Sequence, residues 1–128
     1  MKHLFVLVSL ITLLGCKASA QTDSTQNWFA KPLASAKNIT AEVGHKVAVC
    51  DTVVDYRVVG ADLTLLNLGA RFPNQNLTIA IKGANVKIKP ELLKGKAVCF
   101  YGEVTIFKNR PEMVVTEAAQ IKDIKLYQ

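Results

Sequence analysis

An all-β fold, a small barrel of five strands, is what this chain predicts, and three observations predict it. Apolar and polar side chains alternate with a period of two from about residue 46 to residue 116. Short runs rich in Val, Leu and Ile are broken by Gly, Pro and Asn. The length, 128 residues of which 50% are apolar, suits one domain with a real core and is too short for two.

Residues 1–20 read as an export signal ahead of that domain. Lys2 and His3 make a short basic start, and residues 4–14 are apolar apart from Ser9 and Thr12. That run is about half of the ~20 residues a membrane-spanning helix needs, so it reads as the apolar stretch of a signal peptide rather than as an anchor. Two cleavage readings stay open. Residues 18–20 (ASA) make a small-x-small site, whereas residues 13–16 (LLGC) resemble a bacterial lipobox that would make Cys16 a lipidated first residue. In the second reading the polar residues 21–27 tether the domain to a membrane. Either way the protein is expected in the periplasm or cell envelope.

The elements follow in order. Residues 21–38 form a flexible lead-in whose large apolar residues are Trp28 and Phe29, and the domain itself is expected over 39–128. Residues 46–59 are a long first strand, with Val47, Val49 and Val53 inward and room for a bend or bulge. After a turn at 60–62, residues 63–68 (LTLLNL) form the second strand, and the Gly-, Pro- and Asn-bearing residues 69–76 form a loop. The third strand, 77–82, places Leu77, Ile79 and Ile81 on one face and Thr78, Ala80 and Lys82 on the other. Pro90 opens a single helical turn that Gly95 ends. Residues 96–107 are the fourth strand, Asn109, Arg110 and Pro111 the next turn, and 112–116 the fifth strand. Residues 118–126 fit either a strand extension or a short helix. Five strands, the first long and curved, with a helical insert between the third and fourth, describe an OB-fold closed on itself. A small sandwich or SH3-like barrel is the alternative.

The chain carries 16 Lys and Arg against 10 Asp and Glu, a formal +6 that falls to +4 when Lys2 and Lys17 leave with residues 1–20. This excess biases association with polyanions at low salt without making a dedicated nucleic-acid arm. Beyond Cys16, Cys50 and Cys99 form an even pair in an oxidising compartment, either bridged or as two buried thiols. Two Cys and His45 do not make a metal-ligand spacing. No nucleophile motif, phosphate loop or cofactor fingerprint is present, so the expectation is a non-enzyme with no cofactor and no metal.

Residues 64–78 (TLLNLGARFPNQNLT) resemble the FLNLG..YPNQ.FT signature of a bacterial OB-fold family. Residues 47–51 (VAVCD), 95–99 (GKAVC), 110–116 (RPEMVVT) and 120–121 (QI) resemble it too, so the likeness covers about residues 39–121. These secreted or nuclease-associated domains are grouped with anticodon-binding-type OB modules, and the resemblance implies an OB-fold and nucleic acid as ligand. The chain departs from the pattern in its shortened lead-in, ITAEVGHK at 39–46. The topology implied by the resemblance sets the first and fourth strands side by side. Cys50 and Cys99 then both face outward, and a bridge forms if the register brings their Cα atoms to about 5.5 Å.

OB modules bind across their second and third strands, framed by two hairpin loops. Arg71, Lys82, Lys87, Lys108 and Arg110 are therefore the candidates for tracking phosphates, and Phe72 for stacking on a base. The outward faces of those two strands lack aromatic residues, which argues against a strong single-strand binder. Asp51, Asp55, Glu103 and Glu112 read as ordinary outward strand acids, Asn67 and residues 73–75 as turn chemistry, and His45 as a surface residue. The expected function is a non-catalytic envelope module for single-stranded nucleic acid or another polyanion. The alternative is an adaptor that docks an envelope protein partner.

Overall fold

A computed structural model describes residues 31–123, so the expected signal peptide, Cys16, and the Trp28–Phe29 pair lie outside the described residues. Seven strands form, two more than expected: β1 (Leu33–Ala34), β2 (Lys46–Gly60), β3 (Leu63–Leu68), β4 (Leu77–Lys82), β5 (Ala97–Phe107), β6 (Arg110–Val115) and β7 (Ile121–Asp123). A 3-10 segment spans Ala36–Glu42, a single α turn, α1, spans Pro90–Leu93, and a shorter 3-10 turn spans Ala118–Gln120. The fold is thus mostly β.

The five longer strands pair in a ring-like order. β2 is antiparallel to β3, β3 to β4, β4 runs parallel to β6, β6 is antiparallel to β5, and β5 is antiparallel to β2. Two strands make this arrangement by changing partner halfway. Residues 46–52 of β2 pair with β5, whereas Val53 onward pairs with β3, and the register shifts between Val53 and Asp55. A bulge at that point adds bend and twist to a strand that belongs to two sheets. β5 pairs with β2 through Glu103 and with β6 from Val104. Gly102 sits at this handover, where a Cβ would stand 3.0 Å from Met113 Cγ and 3.3 Å from Gln120 Nε2.

The alternation of the chain explains the filling. Val47, Val49, Val53, Leu66, Leu68, Leu77, Ile79, Ile81, Val98, Phe100, Val104, Met113 and Val115 form one buried apolar cluster. Branched aliphatics at every second position of paired strands remove their whole side chains from water, by about 1.5–3 kcal/mol each. Ala36 and Ile39, from the 3-10 segment, and Val86 join the same core. Residues 33–38 of the expected lead-in therefore pack as part of the fold, with β1 pairing parallel to β2 at Ala48 and Val49.

The hairpin joining β5 and β6 differs from the reading above. Lys108 and Asn109, at φ 49° and 64°, make a two-residue turn, and Arg110 and Pro111 already pair with Phe107 and Ile106. Paired left-handed residues match the strand twist, so the turn is tighter than an Asn-Arg-Pro loop and β6 begins two residues earlier. Residues 118–123 form the second 3-10 turn and β7, which pairs with β5 at Val98, Cys99 and Phe100.

Cys50 lies directly opposite Cys99 in the β2–β5 pairing, and the two form a disulfide. Their Cα atoms are 3.9 Å apart, nearer than the spacing of about 5.5 Å anticipated and nearer than the roughly 4.5 Å of the closer kind of directly opposed antiparallel pair. Cys99 is buried and Cys50 half-buried, on the two strands that β1 and β7 flank.

Candidate functional site

Outside the ring, across β3 and β4, lies a groove of about 680 Å³. Its floor follows from strand alternation. Leu66, Leu68, Leu77, Ile79 and Ile81 point into the core, which turns Leu63, Leu65 and Asn67 of β3 and Thr78, Ala80 and Lys82 of β4 to the other face. β2 contributes Asp55, Tyr56 and Arg57 on one flank, and β6 contributes Arg110, Pro111 and Glu112 on the other. Phe72 and Gln75 reach in from the β3–β4 loop, and Phe107 and Lys108 from the end of β5 and its turn.

One row of side chains crosses the groove, a single residue from each of β2, β3, β4 and β6, and continues to Thr105 of β5 beyond it. Asp55 pairs with Asn67, Asn67 with Thr78, Thr78 with Glu112, and Glu112 with Thr105. Asn67, Thr78 and Glu112 are the buried polar side chains among the described residues, and all three stand in this row. Buried polar groups are costly unless hydrogen-bonded, and most of this row is. Asn67 Nδ2 donates to Asp55 Oδ1 at 2.7 Å, and Thr78 Oγ1 donates to Asn67 Oδ1 at 3.3 Å. Gln75 Nε2 donates to Thr78 Oγ1 at 3.1 Å. Arg110 Nη1 donates to Gln75 Oε1 at 3.4 Å and to the Pro73 carbonyl at 2.6 Å, and its guanidinium lies 4.9 Å from the centre of the Phe72 ring. The β3–β4 loop is thereby tied to the floor and to β6 at once.

The rim is basic and partly aromatic. Arg57, Lys82, Lys108 and Arg110 line it against the two acids Asp55 and Glu112. Phe72 and Phe107 are 66% and 53% exposed, large apolar surfaces open to solvent at the loop end of the groove. Such rings carry flat, sequence-tolerant stacking faces, and the cations beside them favour an anionic backbone.

Of the residues singled out beforehand, Phe72, Lys82, Lys108 and Arg110 come together at this groove, whereas Arg71 and Lys87 do not line it. Both are exposed loop residues. Sequence reasoning missed Tyr56 and Phe107, because it looked for rings on β3 and β4 whereas these stand on the flanking strands. It also treated Glu112 and Asn67 as routine, since their depth depends on a register between strands far apart in the chain. A polar residue in mid-strand on the face that also carries Ala80 was the available signal. His45 is exposed and sits 3.4 Å from Glu42, outside the groove. No family model and no curated protein matches the chain.

Proposed function

We propose that the protein is an exported, non-catalytic OB-fold module of the bacterial cell envelope, and that it holds single-stranded nucleic acid or another polyanion along the groove. The pairing order supports the fold assignment: β2, β3, β4, β6 and β5 correspond to the five OB strands in barrel order, with α1 between the third and fourth. The Cys50–Cys99 disulfide is compatible with an oxidising compartment. No helix among the described residues is long and apolar enough to cross a membrane. The attachment that belongs to this reading is a lipid at Cys16.

The observation that carries the ligand is the rim, where four cations and two exposed phenylalanines border one groove. Phosphates would follow the cations while bases lie on the rings. Titration of a labelled mixed-sequence 9-mer by fluorescence anisotropy tests this. If all four cations meet phosphates, affinity falls about 50-fold between 50 and 200 mM salt, from a slope of roughly −0.7 per contact. No binding at 50 mM, or binding flat with salt, overturns the reading. Flat binding would instead favour the adaptor reading, which has its own support in Val58, Val59 and Ile106, all half-exposed or more near the ends of β2 and β5.

A further inference from the structure

Glu112 is 8% exposed, yet its carboxylate has no hydrogen-bond or ion-pair partner among the described residues. Each neighbour that would be expected to serve is turned elsewhere. Thr105, opposite on β5, donates its hydroxyl to the Glu112 main-chain carbonyl at 3.1 Å. Thr78, opposite on β4, donates to Asn67. Arg110, two residues away on the same face of β6, is held by the Pro73 carbonyl, Gln75 and the Phe72 ring. Asp55, the other acid of the groove, differs because it already accepts from Asn67. No fully buried side-chain oxygen or nitrogen lacks a partner, so the unpaired Glu112 oxygens keep their remaining surface toward the groove.

A mostly desolvated carboxylate with two free oxygens asks for two adjacent donors, because a donor to only one leaves the other unpaired at a cost of about 1–3 kcal/mol. The basic rim disfavours a cationic peptide as their source, and the exposed rings favour a flat aromatic ligand. Among nucleobases, guanine alone presents two neighbouring donors, N1–H and N2–H, on its Watson–Crick edge. Adenine and cytosine offer one amino group beside a ring-nitrogen lone pair, and thymine or uracil offers one N–H between two carbonyls. We propose that Glu112 is a base-reading acceptor that selects a guanine in the bound single strand. This rests on the reading of the groove as a single-strand site and names which base it prefers.

The test uses three 9-mers that differ at one position: d(T4GT4), the same strand with inosine in place of guanine, and d(T9), each titrated at 50 mM salt. Inosine keeps N1–H and lacks the N2 amino group. The expected order is guanine over inosine over thymine, with guanine at least about tenfold tighter than thymine. In Glu112→Gln, checked for folding by circular dichroism, the guanine-to-thymine ratio falls to near 1. Equal affinities for the three strands in the unaltered protein, or a ratio that survives in Glu112→Gln, overturn the inference while the single-strand reading stands. Failure of all three strands to bind overturns both. Guanosine monophosphate is expected to compete only far above the strand concentration, because it meets few of the rim cations. Competition at equal concentration would assign the acceptor to free guanine nucleotides and overturn the strand.

Discussion

Gly69 holds the β3–β4 loop in place by having no side chain. Its φ is +82°, and a Cβ there would overlap the Asn76 side chain and stand 3.1 Å from Asp51 Oδ2. The backbone around it is also engaged, since Gly69 N–H donates to Thr52 O at 3.1 Å and Asn76 N–H to Leu68 O at 2.9 Å. An alanine would add the left-handed penalty of about 1–2 kcal/mol and a steric displacement of Asn76, less the few tenths to ~1 kcal/mol gained from a stiffer unfolded chain. Gly69→Ala is expected to destabilise the fold by about 2 kcal/mol, a fall in Tm of roughly 10 °C in a thermal melt. An unchanged melt would mean that the loop is free to move away from β2. The same local logic separates Asn67 and Thr78, whose partners are neighbours in the row, from Glu112, whose row neighbours are committed to other groups.

At the scale of elements, the disulfide joins the two strands that change ring partner halfway along their length. The sequence separation of Cys50 and Cys99 is 49, so the closed loop contains β3, β4 and α1. Closing a loop of that length restricts the unfolded chain by about 4 kcal/mol in the entropic model, and native distortion subtracts from it. Cys50→Ser with Cys99→Ser is expected to cost about 2–4 kcal/mol in urea unfolding, and the intact mass of the unaltered protein should rise by that of two hydrogen atoms on reduction. No mass change would remove the bridge. Which elements were legible from the chain follows from how local their signals are. β4 stands out because six residues suffice to show a period of two, β3 because a leucine-rich run lies between the turn residues at 60–62 and Gly69, and α1 because Pro90 and Gly95 bracket it. β1 and β7, with two and three residues, are too short for any period to show. The β5–β6 turn misled because Arg110-Pro111 looks like a break, while Lys is a rare occupant of the first left-handed position of a two-residue turn. The groove was half legible for the same reason. Loop cations such as Lys108 are visible locally, but the Asp55–Asn67–Thr78–Glu112 row needs the register of four strands.

For the whole molecule, the distribution of charge matters more than its total. A formal +6 spread evenly would give only weak attraction, and several of the lysines lie away from the groove. Lys82 lines it at the end of β4, whereas Lys87, five residues on, is exposed in the following loop and does not. The two differ in placement and not in charge, so they separate local contact from overall attraction. If the ligand follows the groove, Lys82→Ala removes one phosphate contact: affinity for the 9-mer falls several-fold at 50 mM salt and the salt slope drops by about 0.7. Lys87→Ala lowers the net charge equally and is expected to leave both within error at that ionic strength, where a Debye length of roughly 14 Å screens charges outside the site. Equal losses from the two variants would mean that the anion is drawn to the molecule as a whole and sits in no particular groove. The stacking rings, the polar row and Glu112 would then have no common ligand, and the exposed apolar ends of β2 and β5 would be the better guide to a partner.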